Sequence, residues 1–257
     1  MTATGWAWLA VAGVLAVLDW LAVARGVRLL ERLVKPLVLL ALIGAALSAA
    51  PVRPGVQGWL VAALVLGLIG DIALVAEHPA RSAATLEDDG PEVAAGPDGV
   101  PVPGAAAGSG AVVAPDEAAE SGELLFTVGL AAFLIGHLSY LKAMVAYGTD
   151  QVSIVFGLVL VLTAVLTFGY RILAGAQNAG GTRLTVAVTL YMVALGSSVV
   201  LGIGTAQLWI AAGAVLFGIS DLILASDRFV QPRAAAPLAV IITYHLAQAL
   251  LLVGLVS

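Results

Sequence analysis

The chain has 257 residues, of which 61% are hydrophobic and only 11% charged. Soluble domains carry roughly 25% charged residues, so an ordinary soluble fold is excluded, and a mean hydropathy of +1.07 points to a chain solvated by lipid. The absence of cysteine excludes disulfides, thiolate metal sites and cysteine nucleophiles. The net charge of -5 comes with no basic stripe interleaved with aromatics, so nucleic acid is not an expected partner.

A bilayer core about 30 Å thick needs a helix of about 20 residues. Taken in chain order, eight apolar segments meet that need: residues 6–24, 34–50, 59–76, 124–144, 152–173, 184–203, 207–225 and 236–256. Lipid leaves no partner for an unpaired backbone amide, so all eight are predicted as helices. The fold class expected is all-α, a polytopic integral membrane protein with eight transmembrane helices. Gly- or Pro-bearing punctuation separates most of the segments, at 51–54, 148–151, 175–182 and 227–232. In helix 2, Lys35-Pro36 reads as the opening turn, where proline is at home.

One connection differs. Residues 77–122 are rich in Ala, Gly, Pro, Asp and Glu, and with Glu123 hold ten acids against the single base Arg81. Such a composition cannot bury enough apolar surface to order itself. The predicted organisation is therefore helices 1–3 over 1–76, a disordered acidic insertion over 77–122, and helices 4–8 over 123–257, the two helical parts forming one membrane domain. The first apolar segment has its cations after it (Arg25, Arg28, Arg32), so it is not read as a cleavable signal peptide.

Lys and Arg set the orientation. Nine of them lie on the connections after helices 1, 3, 5 and 7, against Arg53 and Lys142 on the other side. This places the odd connections, with the insertion, in the cytoplasm and both termini outside. The Ala/Val/Gly-rich composition suggests a bacterial plasma (inner) membrane.

Helix 3 ends Ile69-Gly70-Asp71-Ile72-Ala73-Leu74, and helix 7 ends Ile219-Ser220-Asp221-Leu222-Ile223-Leu224. The next helix in each case carries a His-Leu pair, His137-Leu138 and His245-Leu246. These matches suggest two parallel four-helix repeats, related by an axis along the membrane normal, that set Asp71 and Asp221 at equal depth.

A charge inside a span costs a few kcal/mol and is a functional candidate by default. Asp71 and Asp221 lead. Two close buried carboxyls tend to share a proton, which yields an acid and a base from one residue type; the bland alternative is a pair of structural carboxylates bridged to Lys35 or Arg183. Lys35 at the cytoplasmic rim suits a phosphate headgroup. Asp19 lies between an interfacial and a site role. His137 and Tyr140 share a helix face at i, i+3, and Tyr244 and Gln248 do so at i, i+4; with Tyr191 they suit either the site or polar contacts between helices. Ser220 precedes Asp221 without a nucleophile elbow around it. Asp227 and Arg228 read as loop residues. Counted along each helix from its cytoplasmic end, Asp71 and Asp221 lie ~6–8 Å deep, His245 ~14 Å and His137 ~20 Å.

Lys35-Pro36, Gly70-Asp71, Phe133, Gly136, His137, Tyr140, Tyr191, Gly213-Ala214, Phe217, Ser220-Asp221, Ala225, Tyr244 and Gln248, in that order and spacing, resemble the YhhN family of integral membrane lysoplasmalogenases. The resemblance covers helices 2–8. The chain departs from it in the length of the acidic insertion and in His245, where the family more often has a tyrosine. The resemblance implies an ether hydrolase that cleaves the vinyl ether of a lysophospholipid from the inner leaflet, giving a fatty aldehyde and a glycerophospho-base. It implies Asp71 and Asp221 as catalytic acid and base, supported by Lys35, His137, Tyr140, Tyr191, Ser220, Tyr244 and Gln248. Such chemistry needs a proton delivered to carbon and a stabilised oxocarbenium ion, as in glycosidases. It needs no cofactor or metal, and no obligate protein partner is evident.

Two other readings compete. His137, His245, Asp71 and Asp221 could hold a zinc ion in a metal-dependent lipid hydrolase, but the depth difference between the histidines and the aspartates speaks against all four sharing one ion. Buried carboxylates and repeats also suit a proton-coupled transporter, although the polar residues gather at one side of the membrane and form no path through it.

Overall fold

The computed structural model describes residues 1–50, 53, 55–88 and 115–256. Apart from short connections these residues are helical, with no strand among them. The order is α1 (Ala3–Arg25), α2 (Arg28–Leu47), α3 (Val56–Asp88), α4 (Pro115–Tyr147), α5 (Gln151–Ala164), a π-helical turn (Val165–Gly169), α6 (Tyr170–Gly204), α7 (Leu208–Phe229) and α8 (Ala236–Val256).

Six stretches of the described residues are long and apolar enough to cross a membrane. The difference from eight has two sources. Predicted helices 5 and 6 fall within one 54-residue stretch, Gln151–Gly204. Its backbone leaves helical geometry at Gly180 and Gly181, inside the punctuation read at 175–182, and Gly181 takes φ +61, open to glycine at little cost. The other source is α2. It carries Arg28, Glu31, Arg32 and Lys35 in its first eight residues, and its apolar remainder is only ~18 Å long.

Boundaries differ as well. Helix α2 begins at Arg28, immediately after the left-handed cap Gly26 (φ 67) that ends α1. Pro36 therefore sits in the helix interior and not in its first turn, and the carbonyl of Arg32 loses its amide partner. Helix α3 continues past Ala76 to Asp88, and α4 starts at Pro115, so helical backbone enters the predicted insertion from both sides. The remainder of the insertion, residues 89–114, lies outside the described residues.

Helix α8 is the centre of the bundle. It touches α1, α2, α3, α4 and α7, and Ala247, Gln248 and Leu252 on it are completely buried. Glycine lets α7 close on it: a Cβ on Gly213 would stand 2.8 Å from the Leu251 backbone nitrogen. Helix α5 is the opposite case. Among the described elements it packs on α6 and the π-turn alone, and Val152, Phe156 and Val159 face outward. In water that face would be a liability; in a bilayer it is solvated by acyl chains.

Candidate active site

A cavity of ≈ 470 Å³ lies between α2, α3, α4, α6, α7 and α8, with α5 and the π-turn closing one side. Its walls are mostly apolar. Two groups of polar side chains matter most, each built around one of the predicted aspartates.

The first is Asp71 on α3. Lys35 Nζ from α2 lies 3.2 Å from Asp71 Oδ1, an ion pair. The Tyr244 hydroxyl from α8 donates to Asp71 Oδ2 at 3.0 Å. Asp71 is only 1% exposed, and a carboxyl so deep needs such partners to offset the loss of water. The glycine before it has a reason: a Cβ on Gly70 would stand 2.6 Å from the Phe133 ring, so Gly70 lets Phe133 cover the site from α4.

The second is Asp221 on α7. The Tyr191 hydroxyl from α6 donates to Asp221 Oδ2 at 2.5 Å. His137 Nε2 from α4 lies 3.4 Å from that oxygen and 3.3 Å from the Tyr191 hydroxyl. Asp71, Asp221, Lys35, Tyr191 and Tyr244 all line the cavity, whereas His137 stands behind Tyr191, 2% exposed. Phe217 separates the two groups. Its ring lies edge-on to His137 at 4.7 Å and to Tyr244 at 5.4 Å between centroids.

The remaining predicted residues take supporting places. The Tyr140 hydroxyl donates to the Gln248 carbonyl oxygen, and both residues are buried beneath Tyr244 and Phe217, off the cavity wall. Ser220 lines the cavity, but its hydroxyl donates to the Val240 carbonyl at 3.0 Å and so ties α7 to α8. His245 is in neither carboxylate group; its Nδ1 accepts from the Trp20 indole at 3.2 Å, tying α8 to α1.

Several expectations change. Counting residues puts His137 more than 10 Å deeper than Asp221, yet the two side chains meet. Counting from helix ends assumes the ends are level, and α4 has 33 residues against 22 in α7. Arg228 and Asp227, expected as loop residues, lie in the last turn of α7 on the cavity wall, with the Arg228 guanidinium 3.4 Å above the Phe126 ring centroid. Arg183, offered beside Lys35 as a cation for the paired carboxylates, is exposed and is not on that wall. Glu31, also on the wall, escapes sequence reasoning: at the charged start of α2 nothing in its spacing distinguishes it from a solvated acid. Asp19 is fully buried, so the interfacial reading fails, and neither oxygen has a hydrogen-bond partner. Among the described residues no three His, Asp or Glu side chains converge as a metal-ligand group.

A helical bundle with several helices apolar enough to cross a membrane and a largely apolar cavity holding two buried carboxylates defines a class, a helical membrane protein with a polar site inside the bundle. The chain belongs to the YhhN family, whose model matches residues 108–255. Over 137 residues it is 30% identical to a lysoplasmalogenase of Mycobacterium tuberculosis (strain CDC 1551 / Oshkosh) and, to the same extent, to one of Mycobacterium bovis, covering 50% of each chain. Over 128 residues it is 34% identical to lysoplasmalogenase TMEM86B of Sus scrofa, covering 49% of this chain and 52% of the pig protein. The chain spans about half the length of the curated relatives it matches. No solved structure matches it. The family match takes in His137, Tyr191, Asp221 and Tyr244; Lys35 and Asp71 precede it.

Proposed function

We propose that the protein is a membrane hydrolase that cleaves the vinyl ether of lysoplasmalogens, releasing a fatty aldehyde and a glycerophospho-base. The observation that carries this reading is the pair of buried carboxylates facing one apolar cavity, each held by a tyrosine from another helix. Membership of the family and the names of its relatives support it.

A vinyl ether has no carbonyl, so neither a nucleophile nor an oxyanion hole is required. The slow step is protonation of the outer alkene carbon, which leaves an oxocarbenium ion; water adds to it, and the hemiacetal collapses to aldehyde and alcohol. Asp221, held by a tyrosine and a histidine, is the acid; when the hemiacetal collapses its carboxylate recovers a proton from the hemiacetal hydroxyl, while the other carboxyl passes the proton taken from water to the leaving oxygen. Asp71, ion-paired with Lys35, is the anion that stabilises the cation and takes a proton from the attacking water. Lys35 meets the phosphate at the rim, and the apolar walls exclude bulk water from the cation. The supporting set is Tyr140, Ser220 and Gln248, which hold α4, α7 and α8 in register.

The wider frame is part of the same proposal. Eight crossings, with helix breaks at Gly180–Gly181, put the odd connections and the acidic insertion in the cytoplasm of a bacterial plasma membrane, and substrate comes from the inner leaflet. Two parallel repeats would bring Asp71 of α3 and Asp221 of α7 to one cavity.

The test is aldehyde release from a vinyl-ether lysophospholipid by the purified protein, beside Asp71→Asn and Asp221→Asn with both variants shown folded. The reading requires activity in the parent and loss of about 10²-fold or more in each variant, the scale of general acid–base catalysis. A folded parent that releases no aldehyde across several headgroups would defeat it.

A further inference from the structure

Between α5 and α6 lies a second cavity of ≈ 520 Å³. It shares Val161, Val165, Met192 and Gly196 with the carboxylate-bearing cavity, so the two lie side by side with only these residues between them. Its outer wall includes Leu158, Val165 and Val193, which are 46%, 42% and 62% exposed, so this groove reaches the lipid-facing surface of the bundle.

Helix packing explains the groove. At one end α5 and α6 are in backbone contact: a Cβ on Gly157 would stand 2.9 Å from the Val200 Cα and from its carbonyl oxygen. Toward the other end the π-helical turn Val165–Gly169 interrupts α5 geometry, and π-turns of this kind concentrate at functional sites. Val165, Phe168 and Gly169 of the turn are wall residues of the main cavity. At the junction, a Cβ on Gly196 would meet the Val161 side chain alone, at 3.0 Å.

The lining is apolar even where the sequence is not. Thr189 and Ser197 are its hydroxyl residues, and both donate to carbonyls of their own helix, Thr185 and Val193, at 2.7 Å each. Neither presents a free donor to an occupant. On α6 the groove runs beside the main cavity from Thr189 to Leu201, twelve residues or ~18 Å. That is a little more than half of the ~30 Å hydrocarbon core, a depth that one lipid chain reaches.

We propose that the α5–α6 groove is the binding track for the single hydrocarbon chain of the lysolipid, and that the substrate enters sideways from the bilayer past the π-turn, its chain in the groove and its linkage at the carboxylates. The proposal rests on the hydrolase reading for the reaction, but not for the location of the chain. Gly196 is then a specificity residue, because a side chain there stands where the groove joins the cavity.

Two measurements separate the claims. The first cross-links the full-length protein, in nanodiscs, with a long-chain lysophosphatidylcholine carrying a terminal diazirine, and maps adducts by mass spectrometry. Adducts are expected between residues 156 and 201 on α5, the π-turn and α6, and are lost in Gly196→Trp. Val193→Trp, at an exposed position that leaves the core intact, should also reduce them. Adducts concentrated on α1–α4, or spread evenly over lipid-facing helices, overturn the proposal. The second measures kcat/KM for long- and short-chain vinyl-ether lysolipids. Either Trp variant should lower the long-to-short ratio at least tenfold, and an unchanged ratio overturns the track. A parent inert toward every chain length, yet cross-linked in the groove, would sink the assigned reaction and leave the chain site standing.

Discussion

Asp71 and Asp221 differ in the company they keep, and that difference can be measured one side chain at a time. Tyr191→Phe removes the donor 2.5 Å from Asp221 and preserves the ring that meets His137. A fall in kcat of about 10²-fold is expected, with stability reduced by only ~1–2 kcal/mol; unfolding measurements beside the assay check both. Lys35 is a separate case. Lys35→Met leaves the Asp71 carboxylate buried without its cation, and about 3 kcal/mol of stability should be lost, because breaking one side of a buried pair strands the other charge. Adding Asp71→Asn to Lys35→Met should recover part of that loss, which a thermal-unfolding cycle would show. Recovery of nothing would mean that Lys35 acts through some contact other than Asp71.

At the scale of elements, small residues decide how closely helices approach. Gly70→Ala drives a methyl into the Phe133 ring, so α3 and α4 must separate or the ring must turn away from the cavity. A cost of ~1–3 kcal/mol is expected, as for overpacked cores, together with weaker lysolipid binding. Helix ends offer a second test. Asp150 caps α5, accepting from the Ser153 amide at 2.8 Å and its hydroxyl at 2.9 Å. Those hydrogen bonds hold its carboxyl below the usual carboxylate range. A group depressed in the folded state stabilises above its unfolded pKa, and the effect is lost as pH falls through the folded value. The stability advantage of the parent over Asp150→Ala should therefore be full at neutral pH and shrink on acidification below the ordinary aspartate range. An advantage that does not change with pH would show that the cap acts without its charge.

The molecule as a whole poses the question of crossings. Because the chain has no cysteine, single cysteines report sidedness without background. If the break at Gly180–Gly181 returns the chain to the cytoplasm, Asn178→Cys in spheroplasts should react with an impermeant maleimide only after permeabilisation. Thr149→Cys should react in intact spheroplasts. Labelling of both from one side would leave Gln151–Gly204 without a crossing between them and remove the eight-span reading.

Much of this architecture is legible in the sequence, because hydropathy and helix punctuation are local. Apolar runs had to become helices, and a charge within one stands out, so Asp71, Asp221, Tyr191 and Tyr244 can be named from spacing and type. Other features are not local. Asp19 near the end of α1 reads equally as an interfacial acid or a site residue, and only the packing of neighbouring helices buries it. Arg228 and Glu31 read as solvated charges until the cavity wall collects them. The sequence by itself determined the helical membrane class and the pair of candidate carboxylates, since transfer of each residue to lipid depends on its own chemistry. Tertiary structure alone decided the partners: Lys35 and Tyr244 on one aspartate, Tyr191 and His137 on the other, and a groove running out between α5 and α6. Those pairings depend on how far each helix is offset along its neighbour, and that offset is set by side-chain volume at the contacts, which no single segment encodes.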